Sequence, residues 1–470
     1  MIGDLLALCG FEGVELEKAL PKAKKAFDMV GLKEDDIEHG IKRINLFFDT
    51  ELVGMRKILG VWMNEMVNLV LAKQEDKKFL YASIPAIAVD YLTAAMLNSD
   101  EFHIAFPDVF FCGTVGVIFD KLHPILEEGE SLYLPPGVGH CSLLQLRAGL
   151  YARELIPKGE LFFSCGTICD EVLKADEILH EYFGVPIQYV NRCHDKEWDE
   201  PTNVEREMKF FGAQLKRCEA KVSEVVGFTL TDNMMKEARE FKRRYSRPMR
   251  KTLDLVASSD PPPISATALA LIRELNTMCY SREGTEAAAE AIEILYQELE
   301  ERVREGVGVV PKGSPRVMHG YFPSLSDPTI IHMLEEAGIA LPVVELQIFD
   351  GGGFTPPVFP EGVKDRHEIQ ASAYMQGAIG NSLPTEISAI IEACKRLDLD
   401  GLFWFIHHSC RPVLSESQMI KDSVTKELGI PFMLLEGDGY DSRFYSNERL
   451  RNNIETFAEM LRMKKSSVRP

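Results

Sequence analysis

The sequence predicts an α/β protein with two parallel-sheet domains and extra helical segments at its start and middle. Two observations carry this. Apolar runs of strand length alternate with amphipathic helical stretches in two separate regions, which implies parallel strands joined by right-handed crossovers. A short passage also recurs in both regions. Ser164-Cys165 leads, through helical text, to Gly184-Val185-Pro186, and Ser409-Cys410 leads to Gly429-Ile430-Pro431, with a cysteine-to-glycine interval of 19 residues in each.

Residues 1–80 read as a helical segment, because apolar positions recur at three and four in Leu52, Met55, Ile58, Leu59, Trp62, Met66, Leu69 and Val70. Residues 81–200 form the first α/β domain. Its strands are expected at Phe79–Ser83, Asp108–Phe111, Glu160–Phe163 and Pro186–Val190. Between Cys169 and Gly184 a helix turns Val172, Ala175, Ile178 and Leu179 inward and Lys174, Asp176 and Glu177 outward. Residues 201–310 return to helix, including Thr285–Arg304, with a break at Ser258–Pro263 because consecutive prolines cannot continue a helix. Residues 311–470 form the second α/β domain. Its strands are expected at Arg316–His319, Val343–Phe349, Gly401–Ile406 and Pro431–Leu435, with helices Thr329–Ala337, Thr385–Arg396 and Glu416–Leu428 between them.

Composition excludes several classes of function. A formal net charge of −20 argues against nucleic-acid and anionic-membrane partners, which require an electropositive face. It leaves room for an anionic small ligand in a local pocket. No apolar run approaches the length that spans a bilayer, and Met1-Ile2-Gly3-Asp4 lacks the basic start of a signal peptide, so a cytoplasmic location is expected. Ten cysteines are too sparse for a disulfide scaffold in a chain of 470 residues. Cys9, Cys218, Cys279 and Cys394 lie in helical text and read as small buried hydrophobes.

The remaining cysteines carry the chemistry. Cys165 and Cys169 are separated by three residues, which is neither a redox C-x-x-C nor a zinc-knuckle spacing, and no second pair exists. Soft thiolates gathered from separate loops suit an iron–sulfur cluster, and three ligands would leave one iron open to substrate. Cys141, either Cys165 or Cys169, and Cys410 stand at loop positions. Cys141 follows the glycine-rich Gly137-Val138-Gly139-His140 and opens a helix bearing Arg147, where amides favour a thiolate. For any one of these cysteines alone, a buried structural thiol explains the residue equally well.

The ordered set Cys141-Ser142 with Arg147, Thr167-Ile168-Cys169-Asp170-Glu171, Ser409-Cys410-Arg411-Pro412, Gly429-Ile430-Pro431 and Glu436-Gly437-Asp438 resembles the 2-hydroxyacyl-CoA dehydratase D-component and benzoyl-CoA reductase family, with Arg316-Val317-Met318 and Pro323 in expected places. The doubled cysteine and Ser-Cys-Arg-Pro look most like the larger subunit of 2-hydroxyglutaryl-CoA dehydratase. The resemblance implies flavodoxin-like domains, a [4Fe-4S] cluster, a homologous second subunit and an ATP-hydrolysing iron–sulfur activator. It further implies an acyl-CoA substrate that loses water after one-electron reduction of the thioester to a ketyl radical. Ring reduction of an aromatic acyl-CoA, or a double-cubane electron-transfer protein, is the alternative. Residue by residue it carries over Cys141, Cys169 and Cys410 as cluster ligands, while the internal repeat keeps Cys165 open as the alternative to Cys169.

His407, His408 and Ser409, beside Cys410, are candidate catalytic residues, with His140 beside Cys141 a further candidate for moving protons. An equally good reading has these histidines bonded to sulfur or backbone around the cluster. Gly351-Gly352-Gly353 lacks dinucleotide-fingerprint spacing and reads as a plain loop. Gly437–Asp441 reads as a turn with exposed carboxylates, polar contacts with substrate being the alternative, and Arg411 or Arg443 as a phosphate partner or an ordinary ion pair.

Overall fold

The computed structural model describes residues 1–75, 77–83, 87–132, 134, 140–167, 169–192, 204–276, 278–320, 327–344, 346–349, 362–376 and 383–468. The Gly137–Gly139 loop, Ile168, Pro323 and Gly351–Gly353 lie outside them.

Four helices open the chain: Ile2–Leu8, Gly13–Val30, Glu34–Phe47 and Val53–Ala72. The third starts where the Asp36 carboxylate accepts from the Lys33 amide at 2.8 Å. The fourth is buried on nearly every side, as expected of a helix without a polar stripe. It carries Glu65, which is 4% exposed and accepts from the Ser281 amide (2.9 Å) and hydroxyl (2.6 Å). Burial pushes this carboxyl from about 4.5 up to about 7. A raised carboxyl binds its proton more tightly when folded. The stability it contributes is therefore complete below about pH 4.5 and is lost as pH rises through about 7. Glu65→Gln is expected to match wild type at pH 4.5 and to unfold later at pH 8, by at most roughly 3 kcal/mol, measured as a shift in Tm.

Strands β1 (Lys78–Tyr81), β2 (Phe102–Ala105), β3 (Leu161–Cys165) and β4 (Ile187–Val190) pair in parallel in the order β2-β1-β3-β4. Strands β5 (Arg316–Gly320), β6 (Ala340–Val344), β7 (Gly401–His407) and β8 (Phe432–Gly437) repeat that order as β6-β5-β7-β8. Both follow the 2-1-3-4 winding of a flavodoxin-like sheet. Helices Val204–Val226, Asp232–Ser258, Ala266–Glu274 and Arg282–Glu305 connect the two. No helix among the described residues is long and apolar enough to cross a membrane.

Three expectations are corrected. Asp108–Phe111 is helical, not extended: Pro107 sits at the first position of helix Pro107–Phe111, where its missing N–H costs nothing, and the strand lies earlier, at Phe102–Ala105. The strand expected at Val343–Phe349 ends at Val344 and gives way to helix Leu346–Phe349. It begins earlier instead, at Ala340, and includes Pro342. Proline is tolerated there because β6 is an edge strand and its register with β5 shifts between Arg316 and Met318. Cys279 is buried as expected but lies outside any helix.

Candidate functional site

Helices Ser142–Ala152, Asp170–Phe183 and Arg411–Leu428 all begin on a cysteine: Cys141, Cys169 and Cys410 are their N-caps, each with extended backbone. Cys169 follows β3 and Cys410 follows β7, so both stand at the carboxyl ends of central strands. The glycines that close the two helices, Gly184 and Gly429, share a left-handed conformation with φ of 61° and 62°. The repeated spelling is thus a repeated strand–turn–helix unit, but its two Ser-Cys pairs sit differently. Cys165 is the last residue of β3, 1% exposed, with its sulfur 3.3 Å from the Thr167 hydroxyl. The positional counterpart of Cys410 is Cys169.

Cys141, Cys169 and Cys410 are partly exposed, whereas Cys165 is buried. Burial pushes the Cys410 thiol up to about 12, and the charges of Cys169, Glu416 and Glu171 push it the same way. Burial likewise raises Cys141, followed by the charge of Cys410, and burial raises Cys169. The Cys410 sulfur is therefore within electrostatic reach of both others. Amides at the third helical position, those of Leu144, Val172 and Val413, oppose the upshift. Among the described residues no group of three or more His, Cys, Asp or Glu stands close enough to hold a single metal ion.

Two fixtures hold the three turns. The first is a fully buried charge cluster. Arg147, on the helix that Cys141 caps, donates from Nε and Nη2 to Asp108 Oδ2 (3.0 and 2.6 Å) and from Nη1 to Asp176 Oδ1 (2.6 Å). Asp176 lies on the helix that Cys169 caps, so this corrects its expected place on the outer face: it is 1% exposed. The second fixture is Asp438, just past β8 and inaccessible to solvent; with Asp441 at 2% exposure, this corrects the exposed carboxylates expected of that turn. Its Oδ2 accepts from the hydroxyls of Ser142 and Ser409, each at 2.5 Å, and its Oδ1 accepts from the Tyr440 amide at 3.0 Å. Burial alone would raise its pKa, but the hydrogen bonds from the two hydroxyls hold the carboxyl below its ordinary value.

The histidines differ in access. His407 is 2% exposed and its Nδ1 accepts from the Gly439 amide at 3.1 Å, which leaves the proton of the neutral ring on Nε2. That Nε2 has no hydrogen-bond partner among the described residues. His408 is partly exposed, stays 3.1 Å from the Gly437 carbonyl through Nδ1, and packs on Phe444. His140 Nδ1 lies 3.2 Å from Glu171 Oε1, and burial followed by the charge of Arg411 lowers its pKa. Glu171 itself accepts from the Cys141 amide at 3.1 Å, and burial pushes its carboxyl up to about 7. In the sequence that carboxyl is marked only as the last residue of the Thr167–Glu171 passage around Cys169. Neither arginine offered as a phosphate partner stands alone: Arg411 pairs with Asp170, and Arg443 with Asp441, Glu130 and Glu127.

Residues 102–461 match the family described as 2-hydroxyglutaryl-CoA dehydratase, D-component. The chain belongs to that family. Within it, the chain is 22% identical over 315 residues to the alpha subunit of (R)-2-hydroxyglutaryl-CoA dehydratase of Acidaminococcus fermentans, covering 66% of this chain and 62% of that one. It is 20% identical over 323 residues to the (R)-2-hydroxyisocaproyl-CoA dehydratase alpha subunit of Clostridioides difficile, covering 66% and 73%. A benzoyl-CoA reductase subunit of Thauera aromatica is 24% identical over 219 residues, covering 45% and 50%. The match thus spans less than two thirds of the first of these relatives. The D-component match takes in all three capping cysteines and Asp438.

Proposed function

We propose that this D-component protein is the [4Fe-4S]-bearing subunit of a 2-hydroxyacyl-CoA dehydratase that depends on an ATP-hydrolysing activator and pairs with a homologous second subunit. The observation that carries the proposal is the placing of three partly exposed cysteines as helix N-caps, in a chain whose relatives are named acyl-CoA dehydratases and a benzoyl-CoA reductase. Three free, partly exposed thiols on separate turns, with no cage for a single ion among the described residues, are a donor set that a polynuclear cluster would fit. Cys141, Cys169 and Cys410 would hold it. When bound, a cluster of this kind supplies single low-potential electrons and an open iron that acts as a Lewis acid.

The remaining work falls to the chain. Three helix N-termini favour the anionic sulfurs once their protons leave. Cys141 and Cys169 pack against one apolar core and Cys410 against another, which would keep water from the inner side of the thiols. Ser409, held by Asp438, positions the turn before Cys410. Of the three histidines, His408 and His140 have the access to exchange a proton with a bound substrate. His407, buried and anchored by the Gly439 amide, stacks on the Tyr440 ring instead. Cys165 remains a structural thiol at the end of β3.

Ring reduction is the second reading, favoured by the benzoyl-CoA reductase relative. A panel of CoA esters, offered anoxically with the partner subunit, activator and ATP, separates the two. Loss of water from a 2-hydroxyacyl-CoA is the expected result. Dihydro products from benzoyl-CoA without any dehydration would replace the first reading by the second.

A further inference from the structure

We infer that Asp438 is a positioning residue: one carboxylate oxygen, bonded to Ser142 and Ser409 together, sets the separation of Cys141 from Cys410. The idea that those cysteines then share a cluster rests on the function proposed above; the tether itself does not.

The two serines come from distant parts of the chain. Ser142 is the residue after Cys141, and Ser409 the residue before Cys410; Asp438 is 296 residues from the first and 29 from the second. Each serine is adjacent to a capping cysteine, so fixing its hydroxyl fixes the backbone from which the thiol hangs. The carboxylate has no freedom to drift. Its other oxygen is held by the Tyr440 amide at 3.0 Å, and His407 Nδ1, at 3.8 Å, is beyond hydrogen-bond reach. The Gly439 amide donates to that same Nδ1 at 3.1 Å. Asp438, Ser142 and Ser409 are all buried, at 0%, 2% and 3% exposure. Bonds between an ionised acceptor and hydroxyl donors out of solvent are short and strong. The ion pair of Arg411 with Asp170, nearby, is exposed on both sides and screened by water. Asp438 is therefore the tie that determines how far the turn before Cys410 stands from the one at Cys141.

Asp438→Ala removes the acceptor for both hydroxyls. Ser142→Ala removes only the bond that crosses between the two turns, and leaves Asp438 holding Ser409 and the Tyr440 amide. The readout is cross-linking of the metal-free full chain with dibromobimane, which bridges thiols a few ångströms apart, with the Cys141–Cys410 product quantified by peptide mass spectrometry. The yield is expected to fall at least fivefold in both variants, while the circular-dichroism spectrum of Ser142→Ala stays that of wild type. Iron retained after anoxic purification is expected to fall in the same two variants. A wild-type yield in both variants, or no Cys141–Cys410 product in the wild type, overturns the tether. A wild type that binds no iron but shows the fivefold fall overturns the cluster reading and upholds the tether.

Discussion

Replacing Arg147 by methionine is expected to destabilise the protein by about 3–5 kcal/mol, the range for leaving buried charges without their partner. Arg147, Asp108 and Asp176 are all at most 1% exposed. Methionine keeps much of the arginine's length and apolar stem, so the loss is electrostatic and not a cavity. Two carboxylates would then face each other without a cation. Burial already pushes Asp176 above its ordinary value even with Arg147 beside it. The guanidinium also lies over the Phe162 ring at 5.2 Å, and methionine cannot replace that cation–π attraction. The effect is read as the shift in urea midpoint. Arg147→Met combined with Asp108→Asn and Asp176→Asn is expected to recover part of it, since no charge is then stranded. A midpoint unchanged in the single variant would show that the cluster does not bind the helices of Cys141 and Cys169 together.

This cluster also marks where sequence reasoning stopped. Strand–helix alternation was legible because it depends on local apolar period, and six of the eight strands fall where that period places them, give or take a residue or two. Pro107 and Pro342 account for the other two. Each sits where proline is permitted by tertiary setting, a helix start in one case and a bulged edge strand in the other. Asp176 reads as solvent-facing because charged residues on a helix usually are. Only the arrival of Arg147 from another helix, 29 residues away, makes its burial tolerable.

The cysteines were legible as a set and ambiguous as individuals. The repeat at Ser164-Cys165 and Ser409-Cys410 matches spelling, whereas capping depends on where each strand stops. β3 runs through Cys165, while β7 ends at His407, three residues short of Cys410. That difference shifts the capping position of the first half to Cys169. Asp438 was visible as part of a Gly-Asp-Gly turn past an apolar run and of the Glu436-Gly437-Asp438 element, not as a tie between serines. Its two serine partners lie too far along the chain for spacing to suggest them.

The second large effect follows from that shift, and it bears on the central claim that three helix-capping thiols share one inorganic centre. Cys169→Ala, Cys141→Ala and Cys410→Ala each remove one of the capping sulfurs, and each is expected to lose most of the bound iron and its brown colour. Cys165→Ala removes a thiol 1% exposed inside the sheet and is expected to keep both, losing only packing. The deciding measurement is iron and acid-labile sulfide per chain after anoxic purification of the wild type and these four variants. About four of each are expected in the wild type and in Cys165→Ala, as a [4Fe-4S] centre requires, and a small remnant in the other three. Iron lost from Cys165→Ala and retained by Cys169→Ala, or a wild type without iron, would contradict the central claim.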